Sequence, residues 1–488
     1  MADWRFDNSL IRELPGLFMP WQAAPPKAPQ PTVFNDALAA QLGLPGRETG
    51  EGQLSDWLSG AAPVPGSAPA ALAYAGHQFG QFNPAMGDGR ALLLGEIVAP
   101  DGARFDLQFK GSGRTPYSRG GDGLCALGPA LREYLMSEAM AALGVPTTRS
   151  LAVVATGSGV WREQPHPAAV LTRVAASHLR IGTFEYAATH QGLEAVQRLT
   201  DYALRRHYPA LMTARNRPLA LLEAVAEAQA RLVAKWMALG FVHGVMNTDN
   251  VTISGETIDY GPCAFLDNYS ASEVFSSIDR QGRYAYGQQP AVCRWNLYQL
   301  ASALIGAIAA VDAADAEAAR VLLEDWPLRY QAHWLRELRA KLGLSTAQDG
   351  DLELAQELFV VLEGQQADFT LLFRALSASL TQGYAVVAAQ LLDPDSFAPW
   401  FARWKARLAL EPGDTAERAG AMEAVNPLYI ARNHRLDAAL TAAEAGDLAP
   451  FTALLAAVSQ PYAARTEWDQ FAAAAPAGTP HHVTFCGT

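Results

Sequence analysis

Apolar and polar side chains alternate along Arg104–Lys110, whereas from Gln197 onward apolar positions recur every three or four residues. Side chains repeat every second residue on a strand and about every 3.6 residues on a helix, so the first pattern predicts a strand and the second predicts helices. On the strand, Phe105, Leu107 and Phe109 share one face, and Arg104, Asp106, Gln108 and Lys110 share the other. Inward packing of the apolar set leaves Lys110 on the polar face at the strand's end. Upstream, Tyr74 to Asn83 reads as extended, Pro84 to Gly89 as a glycine-bearing loop, and Arg90 to Val98 as a strand closed by the Asp101-Gly102 turn. Downstream comes a helix with Pro129 in its first turn and Gly144 and Pro146 past its end; it carries Glu133 and Glu138. A long amphipathic helix spans Leu219 to Leu239 and stops at Gly240. The pattern continues over Trp295–Val311, Ala316–Leu342, Leu352–Leu362, Phe369–Leu380 and Pro399–Leu410.

The long helix delivers the chain into His243-Gly244-Val245-Met246-Asn247-Thr248-Asp249-Asn250, with Asp259 nine residues further on. Between them, Asn250 to Ser254 is β-branched and alternating, Gly255-Glu256 signals a turn, and Thr257 to Asp259 resumes the extended pattern. This predicts a short hairpin that returns Asn250 and Asp259 side by side, about 5 Å apart. Two such oxygen donors suit one Mg2+, which takes a few protein ligands plus nucleotide phosphates. A metal-free hairpin capped by Asx turns fits this segment alone equally well.

Strand, glycine loop, strand, strand ending in Lys, and helix bearing Glu follow the order of a protein kinase's small lobe, where the Lys pairs with the Glu and holds phosphates. Glu133 is the preferred partner of Lys110, although periodicity alone does not separate it from Glu138. A kinase places its catalytic Asp two residues after the His; here Val245 stands there and accepts no proton. Ordinary γ-phosphoryl transfer is therefore disfavoured. The expected fold is α+β, kinase-like and two-lobed. Its parts are an N-terminal extension (1–72), a strand-rich small lobe (73–195), a helical large lobe (196–470) and a tail (471–488).

Composition narrows the setting. The 488 residues are 50% hydrophobic and 18% charged, enough for a large core. A net charge of −12 argues against nucleic acid as a partner. The longest apolar run, near Ala303 to Val311, is too short for a bilayer, and Met1 to Asp7 carries no basic or apolar signal region. Four cysteines in so long a chain make no disulfide scaffold, so a reducing cytoplasm is expected, and Cys125 and Cys293 read as packing residues. The expected state is a monomer.

Several blocks together resemble the selenoprotein O family of kinase-fold protein adenylyltransferases. They include Tyr74-Ala75-Gly76-His77-Gln78-Phe79-Gly80, Gly87-Asp88-Gly89-Arg90, Phe109 to Arg119, Gly121-Asp122-Gly123 and Arg132-Glu133-Tyr134. Pro146-Thr147-Thr148-Arg149, His243 to Asn250, Ile258 to Pro262, Asn426-Pro427 and Arg432-Asn433-His434 continue it, so it covers nearly the whole chain in order. The resemblance implies AMP transfer from ATP to Ser, Thr or Tyr hydroxyls of proteins with release of pyrophosphate, on a nucleotide flipped relative to a kinase. It implies Asp249 as the base and Mg2+ or Mn2+ on Asn250 and Asp259, with UMP transfer from UTP open as a variant. The phosphate cradle it implies comprises Gly87, Gly89, Arg90, Lys110, Asp122, Gly123, Arg173 and Arg180, with Arg173 and Arg180 on one face if that stretch is helical. His243 and Arg432-Asn433-His434 read as structural. It also implies a redox pair, Cys263 with the tail residue Cys486, against which two free thiols in a reducing cytosol weigh equally. A γ-phosphate kinase and a catalytically silent nucleotide-binding scaffold are the competing functions.

Overall fold

The alternation along Arg104–Lys110 places that strand in the middle of an antiparallel sheet. In the computed structural model, which describes residues 4–485, the sheet runs in the order Phe18–Pro20, Ala70–Leu72, Ala91–Val98, Arg104–Lys110, Pro165–Ala175, Arg149–Trp161, Gln30–Phe34. The short strand Cys125–Ala126 also pairs with Pro165–Ala175. Both faces of the Lys110 strand are covered. Leu107 and Phe109 pack with Trp4, Leu38, Leu54 and Trp57 from the N-terminal segment. Asp106, Gln108 and Lys110 are buried on the opposite face, which looks toward the helix Leu127–Ala142. The polar half of the alternation is thus an internal ion network, where each buried charge needs a partner.

The helical part follows the periodicity closely. Arg217–Leu239 is one helix, capped by the Asn216 side chain at its start and by Gly240 at its end. The pattern over Ala316–Leu342 splits at Asp325 into Asp315–Glu324 and Trp326–Lys341, because Pro327 has no amide hydrogen to continue the first helix and is tolerated in the first turn of the next. Pro399, by contrast, lies inside the helix Pro394–Leu408. Arg432 pairs with Asp368 at 2.6 Å and the Asn433 amide donates to the Phe265 carbonyl at 2.9 Å, so this late motif holds helices to the chain that leaves the Asp259 loop.

Two local expectations are corrected. Tyr74–Asn83 is a tight hairpin, Gly76–Gln78 against Gln81–Asn83, turned at Phe79-Gly80. The segment 250–259 is no β-hairpin: its two arms pair outward with different neighbours. Thr252 bridges to Arg180, with Ile253 N donating to Leu179 O, whereas Thr257 bridges to Thr147 and its amide donates to Pro146 O. The loop is closed instead by one side chain, since Thr252 Oγ1 donates to the Glu256 carbonyl at 2.7 Å and accepts from its amide at 2.9 Å. Backbone groups that a ladder would have used are satisfied by the Pro146-Thr147-Thr148 and Leu179 to Ile181 segments.

Gly240 has a left-handed backbone (φ 71°), and a Cβ there would lie 2.7 Å from the Phe369 ring. Gly240→Ala is expected to destabilise the protein by about 1–3 kcal/mol, read as a Tm lowered by a few degrees in a thermal melt.

Candidate functional site

Register on the sheet assembles the cationic side of the site. Arg173 lies opposite Gln108, and Leu171 opposite Lys110, so Lys110 and Arg173 project from one face toward Glu133. Lys110 Nζ donates to Glu133 Oε2 at 2.5 Å, and Arg173 Nε donates to Glu133 Oε1 at 2.7 Å. Glu138 is engaged elsewhere, by Arg149 and Asn35, which resolves the choice between the two glutamates. Arg173 belongs to a strand, and Arg180 caps the helix Ile181–His190, so they share no helical face; the sheet and the cap bring them to one cavity instead.

That cavity measures about 610 Å³ and collects the lining residues Gly87, Gly89, Arg90, Lys110, Asp122, Gly123, Arg173, Arg180, Val245, Asp249, Asn250 and Asp259. Lys110 reaches Asp259 Oδ1 at 2.7 Å as well as Glu133. Burial alone would raise the Asp259 carboxyl, but Lys110, with Arg90 and Arg173, outweighs it and holds the group well below the ordinary carboxylate range. Asp249 takes the opposite course. Burial pushes it up to about 7 against the pull of Arg180, and its Oδ1 is buried without a partner. Gly76 makes this burial possible, because any Cβ there would fall 2.7 Å from Asp249 Oδ1. Two carboxylates in one cavity are thus driven apart by their surroundings, one a fixed anion and the other near neutrality.

The loop is held from below. His243 Nε2 donates to the Ile258 carbonyl at 2.8 Å, which ties the two ends of the loop together, and burial lowers its pKa so that the ring stays neutral. The Gly76–Asn83 hairpin docks on the same loop through His77 N to Thr248 Oγ1 (2.7 Å) and Phe79 N to Asn247 Oδ1 (3.1 Å). Asn250 spends its amide nitrogen on the Val245 carbonyl at 3.0 Å, leaving its side-chain oxygen as the donor for a cation. Among the described residues no cluster of three or more His, Cys, Asp or Glu could hold a metal ion. An amide oxygen, an ionised carboxylate and phosphate oxygens nevertheless form the hard, open donor set that Mg2+ or Mn2+ takes. The residues fit such an ion.

Strain is concentrated here too. Phe79 (φ 51°), Arg119 (φ 52°) and Asp259 (φ 66°), half of the six non-glycine residues with left-handed backbone among those described, all line the cavity. Each such conformation costs about 1–3 kcal/mol and persists only when its surroundings enforce it.

Some placements differ from expectation. Asp122 lines the cavity, but its carboxylate accepts from Arg162 at 2.8 Å, so Arg162 joins the lining while Asp122 positions it. Asp88 is also structural in effect. Its Oδ2 accepts from Leu72 N and Gln108, and its Oδ1 lies 3.5 Å from Arg180, whose guanidinium stacks 4.4 Å over the Tyr74 ring. Arg162 carried no local sequence signal, and the tertiary fold alone brings it in; Tyr74 and Asn247 lie in the motif blocks but had no role assigned. Cys263 is buried and its thiol is pushed up to about 12 by that burial, while Cys486 lies outside the described residues. Cys125 and Cys293 are buried free thiols. Among the described residues no helix is long and apolar enough to cross a membrane.

Residues 5–459 match the family model described as protein adenylyltransferase SelO. The chain is 56% identical over 483 residues to a protein nucleotidyltransferase YdiU of Sphingopyxis alaskensis, covering 99% of each chain. It is 54% identical to the Cereibacter sphaeroides protein of that name (99% of this chain, 100% of the relative) and 51% identical to the Geobacillus kaustophilus one (100% of both). The chain therefore belongs to the protein adenylyltransferase SelO family.

Proposed function

We propose that the chain transfers AMP from ATP to Ser, Thr or Tyr hydroxyls of proteins in the cytoplasm, its strand-rich and helical parts acting as the two lobes of a kinase-like fold. The observation that carries this reading is one cavity containing Lys110, Asn250, Asp249 and Asp259, with Val245 where a kinase keeps its base. The nucleotide lies inverted relative to a kinase, so that its α-phosphate meets the acceptor and its terminal phosphates meet Arg90, Arg180 and Lys110. Guanidinium forks suit phosphate bidentately.

In the transfer, the acceptor oxygen bonds to the α-phosphorus as the bond from that phosphorus to the oxygen bridging the β-phosphate breaks. Pyrophosphate departs with the electron pair, and the hydroxyl proton passes to the Asp249 carboxylate. Asn250 Oδ1 and Asp259 would hold Mg2+ or Mn2+, which neutralises phosphate charge when bound. Lys110 and Glu133 keep Asp259 in place throughout.

A redox device accompanies the site in this reading, with Cys486 pairing with Cys263. Thr484, two residues before Cys486, donates through its hydroxyl to the Pro262 carbonyl at 2.8 Å, which supports the proximity of the tail to Cys263.

ATP labelled at the α- or the γ-phosphate tests the reaction on whole lysate: α-label on protein is expected, whereas γ-label alone would mean a kinase and no label a silent scaffold. Asp259→Ala is expected to lower transfer by roughly a hundred- to a thousand-fold, because it removes charge stabilisation of the reacting phosphate. Asp249→Ala is expected to lower kcat by roughly a hundred-fold or more while leaving nucleotide affinity unchanged; full activity in this variant would remove the base assignment. Under mild oxidation, intact mass is expected to fall by the two hydrogens of one disulfide, and two free thiols would end the redox proposal.

A further inference from the structure

A second open cavity, of about 690 Å³, adjoins the nucleotide cavity and shares Phe79 and Ile278 with it. Arg280, Arg283 and Trp295 also line it. The acid among its lining residues, Asp279, is committed to the backbone, accepting from the amides of Arg283 at 2.9 Å and Tyr284 at 2.7 Å. Its carboxylate therefore shapes the loop instead of sitting against either guanidinium. Arg283 lies 4.7 Å over the Trp295 ring, and its Nε is buried without a hydrogen-bond partner. Stacking of this kind fixes the guanidinium plane, which also hydrogen-bonds Tyr284, and the unpartnered Nε keeps one donor for a ligand. Arg280 is exposed, and Ile278, 50% exposed, sits at the rim between the two cavities.

The two cavities are in fixed relation. Phe79 N and the Tyr284 hydroxyl both donate to Asn247 Oδ1, at 3.1 and 2.6 Å, so both walls are anchored two residues from Asp249. An acceptor hydroxyl must enter the nucleotide cavity to reach Asp249, and the polypeptide that carries it stays at the rim. The shared rim at Phe79 and Ile278 leads that polypeptide into the second cavity. A local pair of arginines on a chain of net charge −12 is a complementary surface for an acidic segment.

We infer that the second cavity seats the segment flanking the acceptor hydroxyl, and that Arg280 and Arg283 select an Asp or Glu side chain within it. This rests on the adenylyl-transfer reading above. Its test uses the full chain with peptides of identical acceptor residue that carry Glu or Lys in the flanking positions, and α-labelled ATP as donor. The wild type is expected to favour the Glu peptide in kcat/KM by roughly ten-fold, the size of a modest charge-complementarity effect. Arg280→Glu, at an exposed position, is expected to erase that preference and improve the Lys peptide without changing nucleotide affinity. Equal use of both peptides by the wild type would overturn the docking site and leave adenylyl transfer standing. A preference that survives both Arg280→Glu and Arg283→Gln would overturn it too. Label from the γ position, or no label on any peptide, would overturn the underlying reaction as well.

Discussion

A lysine ammonium buried between two carboxylates is the constraint around which this molecule is arranged. Lys110 joins Glu133 on a helix to Asp259 on a loop, and Arg173 supplies the second cation that Glu133 needs. Two cations and two anions close the account without a net buried charge. Removing one member would leave an uncompensated ion in a low-dielectric interior, which costs about 3–5 kcal/mol. The sheet, the helix and the loop are therefore fixed relative to one another by electrostatics as much as by packing, and the cavity is the space this fixing leaves.

The same network explains the division of labour between the aspartates. Asp259 touches Lys110 and remains ionised, whereas Asp249 is shut behind Gly76, where Arg180 and a backbone amide draw it toward ionisation less than burial opposes it. Neither property belongs to the residue type. Each follows from which neighbours the fold supplies.

Much of this was legible in the chain. Lys110, the glutamate-bearing helix and the Gly240-capped helix follow from periodicity and punctuation, because strand and helix geometry act over neighbouring residues; the choice of Glu133 over Glu138 comes from the fold. The 250–259 loop was misread for the same reason. β-Branched alternation specifies an extended backbone, but not which partner satisfies it, and Thr252 and Thr257 found partners at Arg180 and Thr147. Arg173 and Arg180 would share one face only if their stretch were helical; it is not, and the register against Gln108 and a helix cap bring them together instead. The roles of Arg162 and Asp88 lay beyond local reading, since they exist only once remote loops and a helix cap meet.

Both outermost strands of the sheet, Phe18–Pro20 on one side and Gln30–Phe34 on the other, come from the same short stretch near the start of the chain. Unpaired strand borders invite other molecules to add on, so this stretch works as a hem stitched along both open sides. It is made before the strands it seals and has nothing to bind until they follow. Until then the nascent sheet carries raw borders, and self-association of unfinished chains is the hazard that such an order of synthesis builds in.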